Sequence, residues 1–248
     1  MAHVFGTAST RTSSTGNPIV TAAFTIDKLD TVLALSLKVN GATDRAGGAP
    51  TFGGYTMVQA NATQKAASSP EAGCELWYLT AKQCGGRNLP IGTAFTCTIP
   101  NTGGLTVFYT LATGRAKAGG QSAIDVAGGA NGTSANPAPG SLTTTEDGDI
   151  GFAVCASGLT NFDPATPAGT GFGTGTGTPL GTFDDGAHGG GQQYHLQSAK
   201  GAFDLGWTVG SDDWGAVAAY FKEVPPHAFN NYFGFQAGSG ISVTEKIR

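Results

Sequence analysis

Apolar residues recur along this chain in short bursts separated by clusters of Gly, Pro, Asn and Asp. In Thr31–Val39, Val32, Ala34 and Ser36 alternate with Leu33, Leu35 and Leu37, which is the period-2 signature of a strand. Alternating or continuously apolar runs also mark Pro18–Ile26, Thr51–Gln59, Cys74–Ala81, Thr93–Ile99, Gly104–Ala112, Ala123–Val126, Asp149–Ala156, Gln192–Gln197, Ala202–Thr208 and Trp214–Glu223. No segment carries the 3.6-residue period over the dozen or so residues that a parallel-sheet crossover needs. Short strands at this spacing predict an all-β fold, an antiparallel two-sheet β-sandwich of jelly-roll-like form.

Two stretches break the pattern. Gly128–Gly140 and Ala165–Gly191 are rich in Gly, Pro and Thr, and both are predicted as long loops at the ends or edge of the sandwich, where they can meet a partner. The sandwich domain is assigned to residues 1–224, with the first 18 as a candidate N-terminal arm. Residues 225–248 form a separate aromatic-rich segment. Pro225 and Pro226 end the last strand because neither can donate a ladder hydrogen bond. Phe229, Tyr232, Phe233 and Phe235 follow closely, then a Gly-Ser-Gly hinge, Ile241 and Val243. Two readings compete for these six residues. They fold back on the parent domain, or they are the subunit interface of an anchoring arm buried against another subunit.

Composition narrows the picture. Glycine supplies 40 of 248 residues, more than twice the usual ~7%, and threonine another 32. Both are poor helix formers, and Leu, Glu, Lys and Arg are scarce, so the composition argues strongly against a helical bundle. A hydrophobic content of 40% argues against disorder despite the low charge. The 13 Lys and Arg residues are scattered with no two adjacent, against 17 Asp and Glu. Nucleic-acid binding needs clustered cations, and none is present. The longest apolar runs fall far short of the ~20 residues of a membrane span. The first residues lack the basic and apolar regions of a secretory leader, so either a leader was removed and a Met added or the chain is made in a cytosol.

The candidate chemistry is sparse. Cys74, Cys84, Cys97 and Cys155 include no C-x-x-C pair, which argues against a zinc site. Cys97 shares a predicted strand face with Phe95 and Ile99 and suits a buried thiol. The closeness of Cys74, Cys84 and Cys97 along the chain also suits a disulfide across one hairpin. Gly169–Gly177 offers G-x-G spacings, but Pro167 precedes and Pro179 follows, so no helix N-terminus is available to cradle a phosphate. G-x-S-x-G is absent, and His3, His188, His195 and His227 sit in terminal or Gly-rich contexts. A Ser-His-Asp set can still assemble in space without a motif. Asp147 with Asp149, and Asp212 with Asp213, are candidate carboxylate pairs, although Asp before a strand is common for turn reasons. Glu146, Asp147 and Asp149, and Asp184 with Asp185, could ligate calcium through oxygen, but complete no EF-hand pattern. No catalytic residue, cofactor or metal is assigned. Trp77, Tyr78, Trp207 and Trp214 read as core aromatics, with sugar-stacking platforms as the competing reading.

Four segments carry a resemblance. Gly53–Val58, Glu75–Leu79 (Glu-Leu-Trp-Tyr-Leu), Gly148–Val154 and Ser211–Ala218 (with Asp-Asp-Trp-Gly-Ala-Val-Ala) stand in this order. Together they resemble a β-sandwich domain widespread in tailed-phage virion proteins and bacterial surface or secreted proteins. The resemblance covers roughly residues 20–224 and implies a fold, with no catalytic residues to carry over. It implies a non-enzymatic structural protein of the virion, assembled in the host cytoplasm. Its partners are then a major capsid or neck/tail protein and other copies of itself, with capsid decoration the leading role. The alternative is a lectin-like carbohydrate-binding or adhesin module at a fibre tip or bacterial surface.

Overall fold

The computed structural model describes residues 3–27, 30–41, 45, 47–65, 72–85, 89–92, 94–116, 120–158, 177–184, 188–208 and 210–224. The strands in chain order are β1 (His3–Ala8), β2 (Thr12–Ser14), β3 (Ile19–Val20), β4 (Phe24–Thr25), β5 (Val32–Asn40), β6 (Thr51–Phe52) and β7 (Tyr55–Thr56). Next come β8 (Val58–Gln59), β9 (Gln64–Lys65), β10 (Ala72–Thr80), β11 (Ala94–Phe95), β12 (Cys97–Ile99), β13 (Thr106–Ala116) and β14 (Gln121–Ser134). The last are β15 (Leu142–Thr143), β16 (Ile150–Ser157), β17 (Thr178–Asp184), β18 (Gly189–Leu196), β19 (Ala202–Phe203) and β20 (Asp212–Val224). The described residues form no helix, and hence none long and apolar enough to cross a membrane.

Two large antiparallel sheets form the sandwich. One runs β1-β13-β5-β10-β8, with β2 also on β13 and β9 also on β10; the other runs β14-β20-β16-β18-β17. β10 lies across β16 and β20. Between the sheets Tyr78, Phe152 and Phe221 form edge-to-face ring pairs, with Val32, Ala34, Leu76, Val154 and Val217 around them.

A simple sandwich leaves the outer face of each sheet to water. Here both outer faces are covered. On β5 the Leu33, Leu35, Leu37 and Val39 side chains meet Ile19, Phe24, Phe52, Cys97 and Ile99 of the short strands β3, β4, β6 and β12. Beyond the second sheet, β15 pairs with β19, and Leu142, Phe203, Leu205 and Trp207 pack on Trp214, Ala216, Ala218 and Tyr220 of β20. The alternation in β5 is therefore one of two buried faces. Its polar members are sealed in as well. Lys38 is fully buried, its Nζ donating to the His188 carbonyl at 2.8 Å and lying 4.7 Å from the Phe108 ring centre.

Several expectations are corrected. The Gly128–Gly140 stretch does not loop out: residues up to Ser134 continue β14, paired with β20 along its whole length. Within Ala165–Gly191, Thr178–Asp184 and Gly189–Gly191 belong to strands β17 and β18. The first 18 residues do not form a free arm, because β1 and β2 both pair with β13. In the two glycine-rich stretches, backbone hydrogen bonds to distant strands override the local glycine signal. The arm residues Phe229, Tyr232, Phe233, Phe235, Ile241 and Val243 lie outside the described residues.

Of the two readings for the cysteines, the structure carries the buried thiols and not the candidate disulfide: Cys74, Cys84, Cys97 and Cys155 are all unbridged and buried. Cys74 faces the inter-sheet core while Cys84 and Cys97 sit in the cluster on the other side of the same sheet, so β10 separates them. Burial pushes the Cys84 thiol up to about 11 and Cys97 to about 12, and raises Cys155 strongly. Such thiols are inert. A thiol reagent should label none of them in the native protein and all four in denaturant without reductant; fewer than four would reveal a bridge.

Candidate functional site

The densest polar constellation lies where β1, β14 and β16 begin and β20 ends. The His3 backbone N–H donates to the Gly148 carbonyl at 2.7 Å, which anchors the N-terminal strand beside the turn entering β16. That places the buried His3 ring with Nε2 2.7 Å from Ser122 Oγ and Nδ1 3.3 Å from the Gly148 carbonyl. Ser122 Oγ in turn lies 2.6 Å from Thr31 Oγ1, whose hydroxyl donates to the Gly114 carbonyl.

A serine beside a histidine nitrogen is the geometry of an activated nucleophile. Two features give this pair a structural role. Ser122 is 1% exposed, leaving no room for a substrate carbonyl. Burial also drives the His3 imidazole down to about 4, so it is a weak proton acceptor at neutral pH. No sequence signal could have found the pair, since its members are 119 residues apart.

The carboxylates of the same corner divide their tasks. A bulge in β14 between Ile124 and Val126 presents Asp125, which accepts both the Thr145 N–H and the Thr145 hydroxyl at 2.6 Å. Lys222 Nζ lies 3.5 Å from Asp125 and 3.6 Å from Glu146. Asp149 is buried beside Asp125, and among the described residues neither of its carboxyl oxygens meets a hydrogen-bond partner. Burial first, and then the Asp125 and Glu146 charges, push the Asp149 carboxyl up to about 7. It therefore holds its proton through the acid range. Asp147 instead accepts the Lys200 N–H at 2.7 Å. The Glu146–Asp149 run thus splits among separate partners, and among the described residues no group of three His, Cys, Asp or Glu could hold a metal. Asp212 accepts from Ser157 at 3.1 Å and Asp213 from Thr133, so this pair too is tied to neighbouring strands.

Opposite pH dependences follow for the two buried groups. Asp149 has a folded pKa above its unfolded value, so its contribution to stability is full below about pH 4 and is lost as pH rises towards 7. His3 has a depressed folded pKa, so its contribution is present above about pH 6.5 and is lost as pH falls towards 4. Asp149→Asn should remove the alkaline-side loss and His3→Gln the acid-side loss in melting temperature measured from pH 4 to 8. Unchanged profiles would show that neither group is buried as described.

A cavity of about 500 Å³ lies at the end of β18 and is lined by Thr178, Tyr194, His195, Gln197, Lys200 and Phe203 among others. Its polar groups are largely engaged inward. His195 Nδ1 is 3.0 Å from the Tyr220 hydroxyl, and the Gln197 amide donates to Thr144 Oγ1 and the Glu146 carbonyl. Tyr194 stacks on Phe5 with ring centres 4.1 Å apart. Tyr220 can cross β16 only because position 151 is glycine, where a Cβ would lie 2.6 Å from the Tyr220 ring.

The candidate sugar platforms are core residues. Trp77, Trp207 and Trp214 are 9%, 4% and 7% exposed, and Tyr78 faces the second sheet. Trp77 belongs to a buried polar group that sequence reasoning missed. Its Nε1–H donates to Glu75 at 2.6 Å, and Arg45 donates to Glu75 at 3.0 Å, to the Gly48 carbonyl at 3.1 Å and to the Pro100 carbonyl. Comparisons of this chain with protein-family models, curated proteins and solved structures find no match.

Proposed function

We propose that this chain is a structural component of a tailed-bacteriophage virion, with capsid decoration ahead of a neck or tail position. It acts through protein–protein contacts with a major capsid or neck/tail protein and with its own copies, and not as an enzyme. The observation that carries this reading is the location of the resembling segments. Glu75–Leu79 lies in β10, Gly148–Val154 enters β16, Ser211–Ala218 enters β20, and Gly53–Val58 holds the β6–β7 turn. The first three supply central strands of the two main sheets, so the resemblance rests on the framework of the fold.

A second observation supports assembly. The broad faces of both sheets are covered by the chain's own short strands, so sheet edges and the ends of the sandwich remain for neighbours. A surface with few charges suits such packing, because interface cores are depleted in charge. Mass spectrometry of purified particles encoded by the genome carrying this sequence should find the chain at a fixed copy number relative to the major capsid protein. Its absence from intact particles overturns the reading.

The lectin-like alternative has the 500 Å³ cavity on its side, with Tyr194, His195 and Phe203 beside Gln197 and Lys200. Glycan-array binding that Lys200→Ala and Phe203→Ala abolish would favour it.

A further inference from the structure

The two main sheets end in edges of unequal character. Natural edge strands are blunted by shortness, bulges, charges or proline. β8 and β9 have two residues each, β2 three, β1 carries a bulge between Phe5 and Ala8, and β17 carries Pro179 and a bulge beside it. β14 differs. It has 14 residues, ends the order of its sheet, and beyond its bulge runs from Val126 to Ser134 with no charged residue and no proline. Among the described residues no strand pairs with its outer edge. Asn131 and Thr133 on this stretch are exposed.

We propose that the Val126–Ser134 edge of β14 pairs antiparallel with the same edge of a second copy across a two-fold axis, joining the two five-stranded sheets into one. This names a partner for the assembly role above and rests on that reading. The strand is complementary to itself. A two-fold contact is isologous, so one patch must match itself. With Ala130 opposite its own copy, Val126 faces Ser134, Ala127 faces Thr133, Gly128 faces Gly132 and Gly129 faces Asn131. The one charge near the stretch, Asp125, falls opposite Ala135, so no charge meets its own image. A like-charged pair directly opposite would oppose pairing.

Four full-length variants, beside the wild-type chain, test this. Sedimentation equilibrium of the wild-type chain should show a reversible dimer. Ala130→Cys should give a disulfide-linked dimer on mild oxidation, because position 130 meets itself at the axis and the four native cysteines are buried. Thr133→Cys, facing Ala127, should not. Asn131→Lys sets two ammonium groups diagonally across the axis and should weaken the dimer about fivefold, while Asn131→Ser should leave it unchanged. A monomer at every concentration, equal cross-linking of both cysteine variants, or an unchanged dimer in Asn131→Lys would overturn the proposal. The two readings fail separately. A chain found in particles that does not dimerise refutes only the pairing, and a dimer absent from particles refutes only the virion role.

Discussion

Arg45→Met should lower the unfolding free energy by about 3–5 kcal/mol, because breaking a buried ion pair strands the remaining charge. Arg45 and Glu75 side chains are 3% and 4% exposed. The lost guanidinium also leaves the Pro100 and Gly48 carbonyls without their donor. Glu75 would keep only the Trp77 N–H, and its cheapest response is to take up a proton. The double variant Arg45→Met, Glu75→Gln should recover most of the loss, since a neutral amide still accepts from Trp77 without a buried charge. Urea midpoints at unchanged slope would measure both. A single-variant loss below about 1 kcal/mol would place this pair among ordinary surface salt bridges.

Phe221→Ala should cost about 3–5 kcal/mol, the range for deleting a buried aromatic ring. Phe221 is fully buried between the sheets, 5.2 Å from the Tyr78 ring and 6.2 Å from Phe152. The rings come from β10, β16 and β20, whose central strands cannot close over the void without shifting both sheets. Val20→Ala is the control. Val20 is 59% exposed and its truncation should stay within about 0.5 kcal/mol. A loss at Phe221 no larger than that at Val20 would mean that the sheets do not pack through this ring.

The elements legible in the sequence are those whose signal is local. Thr31–Val39, Cys74–Ala81, Asp149–Ala156 and Trp214–Glu223 became β5, β10, β16 and β20 within a few residues at each end. Trp77, Trp207 and Trp214 were read as core and are buried. Gly128–Ser134 was not legible as strand, because glycine lowers β-propensity and only the β20 backbone opposite overrides it. His3 with Ser122, and Asp149 with Asp125, were equally hidden, as each pair joins segments far apart in the chain.

By itself the sequence determined the all-β class, the positions of the central strands and the burial of the tryptophans. Period-2 alternation and turn chemistry act over a few residues and need no distant partner. The tertiary structure alone decided that both sheets are covered on both faces, that β10 separates Cys74 from Cys84 and Cys97, and that β14 lies at an edge with no charge beyond its bulge. A strand's two edges and its second face are completed by segments remote in the chain, and nothing in the strand's own residues names them.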